Sequence, residues 1–162
     1  KFTHSGSQII DWTPEGRVAK SRNLYPDFIS FVLDSIRSLE EKGQDVELGG
    51  IFYHMGENDM SWGPFREGAP ERLMALIHQS RADLMVPELE WYVSQQPPTD
   101  DESVNQIDVT AQLDEVIGAD KNTVHIKAFH LPPQKKKLVL DTAGIIALGD
   151  LLAESYTDQK TP

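Results

Sequence analysis

An apolar run from Val46 to Tyr53 stops at Gly56-Glu57-Asn58-Asp59, where one amide and two carboxylates stand within a single turn. Glycine lets the backbone turn sharply, and the three residues after it bring donors and acceptors to one place. A polar cluster just past the carboxyl end of a strand is where open α/β sheets bind ligands. The same tetrapeptide also fits an Asn/Asp-rich turn that merely ends a strand. Histidine is the side chain suited to proton transfer near neutral pH, and His4, His54 and His130 each fall at a predicted strand end. Any of the three could serve as a base on that edge, or be an ordinary hydrogen-bonded or exposed imidazole. His54 lies nearest the polar turn. His78 falls inside a predicted helix and His125 inside a predicted strand, and neither is assigned a role. No metal site is expected: no two histidines have ligand spacing, and Glu57 with Asp59 is only a pair.

The elements that must position these groups alternate along the chain. Pro26 marks a helix start, followed by Phe28, Ile29, Phe31, Val32, Ile36 and Leu39 at helical spacing until Gly43. Strand 46–53 comes next, then a helix over 66–84 and a strand over 89–94. Gln95-Gln96-Pro97-Pro98 opens a polar loop that could rim a cleft. A helix near 105–117, a strand over 123–128 and a helix over 142–156 complete the pattern. Helix alternating with strand at this spacing predicts βαβ units, hence a parallel sheet layered between helices. The opening Phe2-Thr3-His4-Ser5-Gly6-Ser7 reads as the end of a strand running into a turn. That gives about four strands, a small sheet, and we expect an amino-terminally incomplete single domain over 1–162.

Composition narrows the function classes. The chain has 162 residues, 39% of them hydrophobic, enough for one domain with a core. The net charge of −11 argues against nucleic acid or an anionic membrane as partner. No apolar run approaches the roughly 20 residues that cross a bilayer. Without cysteine there is neither a thiolate nucleophile nor a disulfide framework.

Four segments in order carry a resemblance: His4-Ser5-Gly6-Ser7, the strand into Gly56-Glu57-Asn58-Asp59, Gln79-Ser80-Arg81-Ala82-Asp83-Leu84, and Asp141-Thr142-Ala143-Gly144 through Leu148-Gly149. Together they resemble the SGNH hydrolase superfamily, in its sialate O-acetylesterase and acetylxylan esterase branch. The resemblance implies a three-layer α/β/α, flavodoxin-like fold, here lacking its first strand and helix, and serine-type hydrolysis of acetyl esters on carbohydrates without a cofactor. It also implies an extracellular or periplasmic setting. Carried over by position, Gly6 supplies a backbone N–H and Asn58 a side-chain amide to the oxyanion. Such a donor contributes roughly 3 to 4 kcal/mol to the transition state. Glu57, Asp59 and Trp62 are the candidate substrate-binding residues, Trp62 by stacking on a sugar ring or else by pinning its loop to the core. Arg81 is expected to pair with Glu57 and fix the turn.

The branch's strand end reads Trp-x-Gln-Gly-Glu, whereas here Tyr53 and Met55 stand at the tryptophan and glutamine positions. No Gly-x-Ser block precedes Lys1, so no nucleophile is visible, and the Asp-x-x-His before the last helix is replaced by Lys136 and Val139. The expectation is therefore a carbohydrate O-acetylesterase-like domain whose site is incomplete in this chain. The nucleophile would come from a companion segment or chain, an acetylated glycan would be the ligand, and His54 or His130 would be the base. The alternative is a non-catalytic carbohydrate-binding or assembly domain.

Overall fold

The computed structural model describes residues 1–56, 59, 67–96, 109–131 and 140–160. Two 3-10 turns, Ile9–Asp11 and Val18–Lys20, precede helix α1 at Tyr25–Glu40. Strand β1, Ile51–Met55, leads to helix α2, Ala69–Asp83, and strand β2, Trp91–Gln95. Helix α3, Thr110–Gly118, strand β3, Thr123–Lys127, and helix α4, Thr142–Lys160, follow. Among the described residues the sheet has the order β1-β2-β3, with both pairings parallel. This is an α/β fold of the expected three-layer kind.

The sequence explains the layers. β2 is the middle strand, and Trp91, Tyr92 and Val93 form an uninterrupted apolar run that is buried on both faces, as a parallel sheet requires. In register, Ile51, Tyr53 and Met55 share one face with Trp91 and Val93. Against that face pack Leu73, Leu76 and Ile77 of α2 and Leu113 and Ile117 of α3, spaced three or four apart so that each helix buries one stripe. Phe28, Ile29, Val32 and Leu33 of α1 join the margin of the same core. The other face carries Phe52 and Tyr92, whose rings lie 4.9 Å apart, and Tyr156 of α4 meets both. A smaller cluster of Ala128, Leu131 and Leu140 with Ala147, Leu148 and Leu151 seats the start of α4.

Helix ends follow local chemistry. Asn23 accepts the Tyr25 N–H at the start of α1, with Pro26 in its first turn. The Asp141 carboxylate accepts the Gly144 N–H at 2.8 Å and so caps α4.

Three expectations are corrected. The strand drawn from Val46 begins only at Ile51, because Gly49 and Gly50 fit the approach to Tyr156 and Tyr92 but add no pairing side chain. Residues 1–4 form no strand: the segment enters a turn at Ser5 and Gly6, so the described sheet has three strands rather than four. Arg81 does not reach for Glu57. Its guanidinium pairs with Asp120 and donates to the carbonyls of Leu89 and Asn122, so it ties α2 to the amino ends of β2 and β3.

Burial alone would raise the Asp120 carboxyl, but the Arg81 hydrogen bonds and charge outweigh it and hold its pKa below the ordinary value. Replacing Arg81→Ala leaves Asp120 without its cation, and we expect a loss of roughly 3 to 5 kcal/mol in urea unfolding. A carboxyl with a lowered folded pKa stabilises above its unfolded value, and the contribution fades as pH falls through the folded value. The acid-side slope of stability below about pH 4 should therefore be shallower in the variant. Equal slopes would show that the pair does not govern it.

Candidate functional site

Two turns meet at the carboxyl end of β1. The first is the 4–7 turn, closed by the Ser7 N–H and hydroxyl, both donating to the His4 carbonyl. Gly6 occupies it with φ of +66°, a conformation open to glycine and strained for other residues, and nothing crowds the place a Cβ would take. The second turn is Gly56 to Asp59. Asp59, only 4% exposed, accepts the Ile9 N–H at 2.7 Å and so joins the two turns across fifty residues of chain.

Around this joint sits a compact set of buried charges. Asp11 accepts the Gln8 N–H and pairs with Arg17 and, more loosely, Arg22. Burial pushes the Tyr53 phenol well above its usual range, and the Asp59 and Asp11 carboxylates push it further, with a hydrogen bond to Asp59. Tyr53 is thus a neutral hydrogen-bond donor.

Between the amino-terminal segment, α1 and β1 lies a cleft of about 760 Å³, in the size range of small-molecule sites. His4, Ser7, His54, Gly56 and Asp59 stand at its polar end, and Phe28, Phe31, Val32, Ile51 and Phe52 line its apolar length. The structure therefore brings His4, His54 and Asp59 together, with Gly6 in the same turn as His4. His130 lies apart, exposed in the turn after β3 and not on the cleft. Glu57, Asn58 and Trp62 lie outside the described residues, as do Pro97, Pro98, Lys136 and Val139.

His54 has a partner that residue spacing did not reveal. Its Nδ1 lies 2.9 Å from the Ser94 hydroxyl, directly across the β1–β2 ladder. Ser94 is 0% exposed, so it cannot meet a substrate; it fixes the ring. Ser7, which does line the cleft, donates to the His4 carbonyl and accepts the Trp12 indole N–H. The signal that could have found Ser94 is the alternation of β2, which puts a lone hydroxyl beside His54 once the strands are paired.

His125, assigned no role, is also held at both nitrogens, by Asp114 at 2.7 Å and Gln95 at 2.9 Å, with Lys127 on the same aspartate. Burial lowers its pKa, with Asp114 acting in the opposite direction. It faces the α3 side of the sheet, opposite His54. Among the described residues no group of three or more histidines and carboxylates could hold a metal ion.

A family model described as carbohydrate esterase, sialic acid-specific acetylesterase, matches residues 1–158. No curated protein matches the chain. Among solved structures, the chain is similar to a protein from Arabidopsis thaliana, with a TM-score of 0.67 and 22% identity. The match covers 94% of this chain and 57% of that one, so the chain spans little more than half the neighbour's length.

Replacing Asp59→Ala removes the acceptor that joins the turns and strands the buried Ile9 N–H. We expect a loss of about 1 to 3 kcal/mol in stability, with faster hydrogen exchange at the Ile9 amide than in the core of β2. Unchanged exchange at Ile9 would show that the turns are joined by other contacts.

Proposed function

Because the chain belongs to the carbohydrate esterase family of sialic acid-specific acetylesterases, we propose that its cleft is the acyl-transfer site of a carbohydrate O-acetylesterase-like domain that is chemically incomplete by itself. The observation that supports this reading is the convergence of the Gly6 turn and the Gly56 to Asp59 turn on one cleft beside an oriented histidine. Acyl transfer needs an oxyanion pocket, a base and a nucleophile.

In this reading the Gly6 N–H, which makes no hydrogen bond among the described residues, and the Asn58 amide receive the oxyanion of an acetyl ester. Glu57 and Trp62 contact the sugar, and Asp59 holds the turn in place. His54, its Nδ1 edge against Ser94, takes the proton of a serine hydroxyl brought by a companion segment or chain. That serine oxygen forms the bond to the acetyl carbon as the sugar oxygen leaves with the proton handed on by His54. Water, giving a proton to His54, then attacks the acetyl carbon to release acetate and return the proton to the serine oxygen. His130, distant from the cleft, is the weaker candidate for the base.

One observation favours a second reading, a carbohydrate-binding domain without turnover. Two of the serines near the cleft's histidines, Ser7 and Ser94, have their hydroxyls committed to structural bonds. Ser94 has an imidazole beside it but is fully buried, and Ser7 shows no bond to one among the described residues; a serine without an imidazole to take its proton is a poor nucleophile near neutral pH.

The two readings share one expectation for the chain alone. With a general base typically contributing 10² to 10⁴ in rate and no exposed nucleophile paired to it among the described residues, the oxyanion pocket leaves little turnover. The 162-residue chain should hydrolyse p-nitrophenyl acetate no faster than its Asn58→Ala variant. A saturable rate about 10²-fold above the variant's would place nucleophile and base within these residues and overturn the incomplete-site reading. Binding of an acetylated oligosaccharide, measured by calorimetry, should be weakened by Asn58→Ala in either case.

A further inference from the structure

A second polar cluster lies on the face of the sheet that α3 covers, where four side chains stand in line. The Asp114 Oδ1 lies 2.7 Å from Nδ1 of His125, and Nε2 of that ring lies 2.9 Å from the Gln95 Oε1. The Gln95 amide nitrogen then donates to the Thr110 hydroxyl at 2.9 Å. α3 supplies both ends of the line and the sheet its middle, so the line clasps the helix to the strands. Gln95 is fully buried and the His125 side chain nearly so, which leaves little water to replace a missed bond.

A proton decides how the line closes. Lys127 and His125 hold the Asp114 carboxyl below its usual pKa, and a carboxylate can only accept, which puts a hydrogen on Nδ1 of the ring. A neutral ring then has a bare Nε2, and the Gln95 oxygen would set acceptor against acceptor. With that oxygen facing the ring, the line is closed by an imidazolium, which donates from both nitrogens. The neutral ring has another solution. The oxygen and nitrogen of an amide are nearly alike in shape, so the end of Gln95 can turn over in place. Its NH₂ then donates to Nε2, and its oxygen accepts from the Thr110 hydroxyl.

The charges that bear on the ring are Asp114 from α3 and Lys127 from β3, the latter 2.6 Å from the other oxygen of the same carboxylate. β2 contributes the neutral Gln95. On α2, which packs against α3, His78 and Arg81 meet Asp120 instead. Burial lowers the ring's pKa and Asp114 offsets this only in part, so the ring titrates below the ordinary histidine value of about 6.5.

We propose that Asp114, His125, Gln95 and Thr110 form a proton-operated latch between α3 and the sheet: a proton from solvent, taken up at Nε2 of His125, turns the Gln95 amide over and reverses the hydrogen bond at the first residue of α3. Thr110 changes from donor to acceptor as the ring becomes charged. The folded chain holds this proton less tightly than the unfolded chain does. The contribution to stability is therefore whole above about pH 6.5 and is lost as pH falls through the folded value, so acid loosens the hold on α3. Gln95 pairs in register with Met55, the residue before Gly56, which sets the latch beside the polar turn. The latch works whether or not that site hydrolyses esters.

Nuclear magnetic resonance of the nitrogen-15-labelled chain between about pH 8 and pH 4.5 tests this. Above its midpoint His125 should carry its hydrogen on Nδ1 alone. The Gln95 side-chain NH₂ and the Thr110 backbone amide should shift with the midpoint of His125 and not with that of His54. Asp114→Asn, at a half-exposed position, should move the His125 midpoint down, because the carboxylate that favours the charged ring is gone. Gln95→Met should leave the ring titrating and make the Thr110 signal indifferent to it; should that variant fail to fold, the readings on the unmodified chain and on Asp114→Asn decide. A hydrogen on Nε2 above the midpoint, a Gln95 NH₂ that ignores the titration, a ring that takes up no proton down to about pH 4.5, or a midpoint unmoved or raised in Asp114→Asn would each overturn the latch.

Discussion

The Asp59 carboxyl group lies almost without solvent, aimed at a backbone amide fifty residues away. A buried polar group is tolerated only when its surroundings answer it, and here the Ile9 N–H and the Tyr53 hydroxyl do so. Asp11, on the other side of the same 3-10 turn, is answered by Arg17 and Arg22. The segment from Gln8 to Asp11 is thus gripped by one carboxylate from within and one from β1's end. Everything at the polar end of the cleft depends on that grip. Release Asp59, and the Gly6 turn keeps only its own side's contacts, the Arg22 guanidinium on the Gly6 carbonyl and the Trp12 indole on Ser7.

The histidines show how little residue type alone decides. His54 and His125 both stand in strands and both lean on partners in the middle strand, yet they face opposite sides of the sheet. His54 opens on the cleft, and His125 is enclosed between α3 and the sheet. His4 reaches the cleft from a turn rather than a strand end. His130, in the turn after β3, is not among the residues that line the cleft.

Much of the fold was legible because its determinants are periodic. Leu73, Leu76 and Ile77, or Trp91 to Val93, announce a helix stripe and a buried strand without any knowledge of neighbours. The family's segments were legible too, and the structure gives two of them physical roles: Asp141 caps α4, and Asp59 joins two turns. What the sequence could not show was pairing across distance. Arg81 was matched with Glu57 by analogy of position, whereas the carboxylate it meets among the described residues is Asp120, which the turn between α3 and β3 brings within reach. Ser94 was silent for the same reason. Its significance comes from strand register, and register is not written in either strand alone. Met55, where the branch has a glutamine, proved fully buried in the core, so the missing polar contact is replaced by packing.

The bond from Asp59 to Ile9 also makes a closed circuit of the chain between them, α1 included. The ends of that circuit are fixed, so its length is nearly free: doubling a flexible loop costs only about 0.6 kcal/mol in closure entropy. The exposed stretch after α1, with Gly43 in a left-handed conformation, is where extra residues would be absorbed. Insertions there enlarge or reshape the wall that α1 presents to the cleft, while the two turns stay where they are. The architecture thus separates the part of the molecule that evolution can remodel from the part it must leave in place.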